Sequence, residues 1–137
     1  DGVMVVGDAA AQAKPTSGGG LYTGIVAAKI AGEVAAEHVR SSPDTEGLIA
    51  YEHRWRAKLD RELSLGMSLR RLFRGLNNRE INFLFDCLDN QALLDVVASY
   101  GDIDYPSRIL KALLQHPRDW WRVFRGLGAK LNALELL

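Results

Sequence analysis

Apolar positions recur at two different spacings along this chain of 137 residues. Near the start, Val3-Met4-Val5-Val6 is a continuous apolar run that stops at Gly7-Asp8. That pattern predicts a fully buried strand of the parallel-sheet type. A buried strand needs neighbours, and no second convincing β run follows. The sheet partners are therefore expected outside these residues, in a larger protein of which the chain is a part. From Gly24 onward the apolar positions instead recur every three or four residues, the spacing of helices.

The first helix is predicted from Gly20 to about Arg40, carrying Ile25, Val26, Ala28, Ile30, Val34 and Ala35, and ending at Ser41-Ser42-Pro43-Asp44. Its alanines and glycines suit close packing against a sheet or a second helix. A second, amphipathic helix runs from Glu46 to about Leu63, with Leu48, Tyr51, Trp55, Leu59 and Leu63 on one stripe and Arg54, Arg56, Lys58 and Arg61 on the rest of its surface. Tyr51 and Trp55 lie on that stripe and read as core. Gly66 is expected to separate this helix from a short one over Met67 to Leu76.

Asn77 followed by Glu80 has the form of a capping box and opens a helix with Ile81, Phe83, Leu84, Phe85 and Leu88. Asn90 can cap the next helix, which carries Leu93, Leu94, Val96 and Val97 and ends at Gly101. Pro106 starts another, to about Gln115, because proline is favoured in a first helical turn. A last helix begins near Pro117, weakens at Gly126 and Gly128 and resumes to Leu137. The fold class predicted is mainly α, with one N-terminal strand belonging to an α/β domain and a helical region behind it. The organisation predicted is residues 1–40 as a piece of that α/β domain and residues 41–137 as a helical domain.

Composition narrows the function. Lysine plus arginine and aspartate plus glutamate both number 17, so no global field exists to collect nucleic acid. The single cysteine, Cys87, cannot form an internal disulfide, and its apolar neighbours Phe83, Phe85 and Leu88 mark it as a buried thiol. Together with the scattered His38, His53 and His116 it offers no ligand spacing for zinc or an iron–sulfur cluster, so no metal is expected. A reducing cytoplasm fits this cysteine usage. No apolar run reaches the roughly 20 residues that span a bilayer. Trp120-Trp121-Arg122 near the end has the composition of a membrane-interface segment, but packing onto the core or a second subunit accounts for it equally well.

The chemistry is concentrated in Val5-Val6-Gly7-Asp8-Ala9-Ala10 and Lys14-Pro15-Thr16-Ser17-Gly18-Gly19-Gly20-Leu21-Tyr22-Thr23-Gly24. A strand, an acidic turn, a glycine loop and a helix N-terminus follow one another. A carboxylate at a strand's C-terminal end stands at the crevice where ligands bind in α/β sheets, and it can accept hydrogen bonds from a ribose or sugar-alcohol hydroxyl. Glycines opening a helix present N–H groups at the positive end of its dipole, suited to an oxygen gaining negative charge. Taken alone, Asp8 could equally be a simple N-cap and the glycines a flexible linker.

Gly-Asp-Ala-Ala with the downstream Pro-x-x-Gly-x-Gly resembles the second FAD motif of the p-hydroxybenzoate hydroxylase superfamily. Within it, the Lys14 to Gly24 stretch, Tyr51-Glu52-x-Arg54-Trp55-Arg56 and Tyr100-Gly101-Asp102-Ile103-Asp104-x-Pro106-Ser107 are similar to geranylgeranyl reductases, along most of the chain. The resemblance implies a C-terminal fragment of an FAD-dependent enzyme that reduces carbon–carbon double bonds of isoprenoid lipids. It implies that Asp8 contacts the ribityl chain, Pro15 shapes the loop beside the flavin ring, Gly18, Gly19 and Gly20 line its pyrimidine edge, and Leu21 opens the helix. Tyr22 departs from the asparagine usual in hydroxylases of the superfamily, which favours the reductase branch. The resemblance nominates no proton donor. It also implies a reduced electron donor, ferredoxin or a nicotinamide cofactor, with peripheral membrane contact and a homodimer as further options. Two other readings stay open, a monooxygenase or electron-transfer dehydrogenase of the same superfamily and a non-catalytic helical interaction module.

Overall fold

A computed structural model describes residues 2–41 and 46–115, together with 121, 123, 125–128 and 130. A 3₁₀ turn at Gly7–Ala10 precedes helices α1 (Leu21–Ser41), α2 (Glu46–Arg74), α3 (Asn78–Leu88), α4 (Gln91–Tyr100) and α5 (Pro106–Gln115). The chain divides into two compact units, Asp1–Ser64 and Leu65–Leu137.

In the first unit the apolar stripes of α1 and α2 meet. Ala31 and Val34 of α1 pack with Tyr51, Trp55 and Leu59 of α2, and Met4, Val6, Ile30, Leu48 and Leu63 close over them. Trp55 and Tyr51 are both buried, as their place on the stripe requires. On the outer surface Arg54 of α2 grips Glu37 of α1 with two parallel hydrogen bonds of 3.0 and 2.7 Å. The same guanidinium holds the Glu37 carboxyl below the usual carboxylate range.

The run before Gly7 differs from the expected buried strand. Val6 has the extended backbone of a strand, with φ −131° and ψ 149°. The described residues contain no strand, however, and so no ladder partner for it. Burial alternates as in a strand with one covered face: Met4 and Val6 turn to the core, while Val3 and Val5 are 78% and 48% exposed. A continuous apolar run predicts burial on both faces, but only one face here meets a neighbour.

Helix α2 also differs from expectation, because it runs unbroken through Gly66. One glycine inside a helix costs about 1 kcal/mol relative to alanine. The flanking Leu63, Leu65, Met67 and Leu69 are strong helix formers, which carry the helix across it. Residues 42–45, where the stop before α2 is predicted, lie outside the described residues.

In the second unit local capping sets the helix starts. The Asn77 side chain accepts from the N–H groups of Arg79 (2.9 Å) and Glu80 (3.1 Å), and Glu80 accepts from the N–H of Asn77 (2.8 Å), a complete capping box. Asn90 caps α4 through the Ala92 N–H at 2.9 Å. The turn between α4 and α5 is organised by Asp102, whose Oδ1 accepts from the N–H groups of Asp104 (2.8 Å) and Tyr105 (3.1 Å). Cys87 is buried with Val123 and Leu127, against Leu76, Phe83 and Leu84.

Of the last predicted helix, residues 121, 123, 125–128 and 130 are described, and all are helical. Gly126 is not a weak point there. A side chain at that position would collide with the ring of Phe83, so the glycine is what lets the helix lie against α3. Lys130 then reaches Glu80 and the carbonyl of Gly75, both at 2.7 Å. Trp120 and residues 131–137 lie outside the described residues, while Trp121 is exposed.

Candidate functional site

The site begins with a backbone reversal that glycine permits. Gly7 has φ +77°, in the left-handed region, and starts the 3₁₀ turn that carries Asp8. Ala11, at φ 55°, closes the turn with its N–H on the Asp8 carbonyl at 3.0 Å. Gln12 then runs back into the core, where it is fully buried. Its Oε1 accepts from the Gly7 N–H at 2.7 Å and its Nε2 donates to the Tyr51 hydroxyl at 2.9 Å. The Tyr51 hydroxyl in turn donates to the Val5 carbonyl at 2.9 Å. Each of these polar groups is paired, as buried groups must be. The result fixes the end of the extended segment, and with it the start of the Asp8 turn, to helix α2.

The glycine loop is closed by its own backbone. Lys14 N–H donates to the Gly19 carbonyl at 3.0 Å, and Gly18 N–H donates to the Lys14 carbonyl at 2.8 Å. Pro15 lies in the turn between them, and Gly18 takes φ +73° with open space where a side chain would point. A side chain on Gly19 would press on the stem of Lys14 at 3.2 Å. Gly20 immediately precedes α1. Its carbonyl accepts from the Gly24 N–H (2.7 Å) and from the buried Thr23 hydroxyl (3.2 Å).

The acidic turn and the glycine loop meet at Gly20. The Asp8 carboxylate fills the space that a Cβ on Gly20 would need, and Gly24 approaches the α-carbon of Gly7. Asp8 is an exposed residue, and Leu21 at the head of α1 is 80% exposed. The structure therefore brings Asp8, Gly20 and Leu21 together, with Gly19 one residue away and Pro15 and Gly18 at the outer end of the same loop. A carboxylate beside the first turn of a helix gives an acceptor and a set of N–H donors side by side. One polar ligand with both hydroxyls and an anionic edge can use both. Among the described residues no cluster of histidine, cysteine and carboxylate side chains could hold a metal ion.

Gln12 carries no signal in the sequence, because a lone amide in a glycine-rich loop has no periodic neighbours. Its role appears only once Tyr51, 39 positions along the chain, is beside it.

No family model matches the chain. No solved structure matches it either. It is 38% identical over 117 residues to an uncharacterized protein of Methanocaldococcus jannaschii, covering 82% of this chain and 30% of that protein. It is 40% identical over 120 residues to digeranylgeranylglycerophospholipid reductase 2 of Methanothermobacter thermautotrophicus, covering 83% of this chain and 31% of the relative. It is 43% identical over 93 residues to the digeranylgeranylglycerophospholipid reductase of Methanothrix thermoacetophila, covering 66% of this chain and 24% of the relative. By their names, the latter two relatives are reductases of a glycerophospholipid. The chain belongs to the geranylgeranyl reductase family. It spans less than a third of the length of these curated relatives.

Proposed function

We propose that this chain is the C-terminal part of an FAD-dependent reductase that saturates carbon–carbon double bonds of geranylgeranyl groups in isoprenoid lipids. The observation that carries the reading is the Asp8 carboxylate seated against Gly20 at the head of α1. Asp8 would accept hydrogen bonds from the ribityl hydroxyls of FAD. Gly18, Gly19, Gly20 and Leu21 would offer main-chain donors and a surface free of bulky side chains beside the ring, with Pro15 holding the loop's shape. The residues fit such a group, because Gly18 leaves open space and Gly20 admits only a hydrogen where the carboxylate rests. When bound, FAD supplies the hydride for alkene reduction. The chain's own residues bind and orient it.

The exposed outer face of Val3 and Val5 supports the presence of a neighbouring strand from the rest of the α/β domain. The Trp121 side chain, 61% exposed, supports contact between the last helix and a membrane surface. Among the described residues no helix is long and apolar enough to cross one. Reduction of geranylgeranyl lipids by the full-length protein with dithionite, followed by mass spectrometry, tests the reaction. The reading predicts about two mass units gained per saturated double bond, and unchanged lipid overturns it.

A further inference from the structure

The second unit contains a cavity of about 500 Å³ between the end of α4, the Asp102 turn and α5. That is the size range of small-ligand sites. Ser99, Tyr100, Asp102, Arg108, Lys111 and Gln115 line it together with Gly101 and Ala112.

The charges in the wall are not equivalent. Both oxygens of Asp102 are engaged within the turn, Oδ1 by the Asp104 and Tyr105 N–H groups and Oδ2 by Arg108 at 2.6 Å. These bonds, led by that from the Asp104 N–H, hold its carboxyl below the usual aspartate range. Asp102 thereby acts on Arg108 rather than on a ligand. The guanidinium is held by this bond and lies over the Tyr105 ring, 4.5 Å from its centroid. An arginine has five N–H donors in a fixed fork, so donors remain for a second acceptor. Lys111, one turn further along α5, has no ion-pair partner among the described residues. A clamped guanidinium and an ammonium that has no ion-pair partner among the described residues stand against the single carboxylate of Asp102, so this set of lining side chains carries an excess positive charge. This set suits a compact anion with several acceptor oxygens, which is the chemistry of a phosphate ester.

We infer that this cavity binds the phosphate of a phosphoester, with Lys111 and Arg108 as its charged contacts. The inference rests on the cavity alone. The lipid-reductase reading serves only to choose glycerol phosphate as a probe, so flavin content and lipid reduction can fail or succeed separately. The test is isothermal titration of the full-length protein with inorganic phosphate, sn-glycerol 1-phosphate, succinate and glycerol. It is repeated with Lys111→Gln and with Lys58→Gln, which changes an exposed lysine on α2.

The phosphate compounds should bind and glycerol should not. Lys111→Gln should weaken phosphate binding about tenfold, the effect of losing one charge-assisted bond, while Lys58→Gln leaves it unchanged. Tighter binding of glycerol 1-phosphate than of inorganic phosphate assigns the site to a headgroup, and equal binding assigns it to free phosphate. Absence of phosphate binding, equal binding of succinate, or equal losses in the two variants overturns the inference.

Discussion

The carboxylate of Asp8 rests over the α-carbon of Gly20, in space that any other residue at position 20 would need for its Cβ. Two segments twelve positions apart are thereby brought to one point at the head of α1. Asp8 is held there from behind, through Gly7, Tyr51 and the buried Gln12, by a chain of hydrogen bonds that ends on the Val5 carbonyl.

Gly20→Ala should displace the Asp8 side chain without unfolding the chain, because the atoms it meets belong to a short exposed side chain and not to backbone. At the residue before a helix, alanine in place of glycine costs only modest helix stability. Far-UV circular dichroism should be unchanged, while the carboxyl resonance of Asp8 shifts. An unshifted resonance would show that the two groups do not touch.

Tyr51→Phe keeps the packing of the ring but removes the hydroxyl that joins Gln12 to Val5. The Gln12 amide is fully buried, so it loses its acceptor where no solvent replaces it. The expected cost is about 1–3 kcal/mol in denaturant unfolding. A cost near zero would mean that the network does not hold this turn.

Gly126→Val should be destabilising by about 1–3 kcal/mol, the usual range for overpacking, because its side chain enters the ring of Phe83. Pairing it with Phe83→Ala should recover part of the loss. Additive effects of the two changes would contradict the contact.

Glu80 provides a pH test. Its carboxyl is held below the usual range, first by the Lys130 ammonium and then by the Asn77 N–H. A depressed folded-state value means that the ionised form is the one bound. The contribution is therefore complete above the unfolded-state glutamate value and is lost as pH falls through the lower folded one. In Lys130→Gln the Glu80 titration, followed by carboxyl carbon NMR, should move upward. No movement would place the ammonium elsewhere.

Features decided by neighbours in sequence were legible in it. The Asn77 and Glu80 box, the Asn90 cap, the Pro106 start and the Gly101 stop each involve groups within one helical turn, and all are present. The stripe of Tyr51, Trp55 and Leu59 likewise marks the face of α2 that is buried. Features decided across the chain were not legible. Gly66 reads as a break because propensity alone is visible, and Gly126 reads as weak because Phe83 is 43 positions away. At the site, the acidic turn and the glycine loop could be identified as neighbouring segments, whereas the apolar run before them reads as a strand and is extended backbone without a ladder partner among the described residues. The meeting of Asp8 with Gly20 and the support from Gln12 depend on tertiary packing. The engagement of Asp102 with Arg108 crosses the turn before α5, where no periodic pattern operates.

The most direct measurement is the flavin content of the full-length protein and its Asp8→Ala variant, read from visible absorbance per chain at matched folding by circular dichroism. The account predicts a yellow parent protein and a several-fold loss of flavin in the variant. A colourless parent, or a variant that retains its full flavin content, would contradict the role given to the carboxylate beside Gly20.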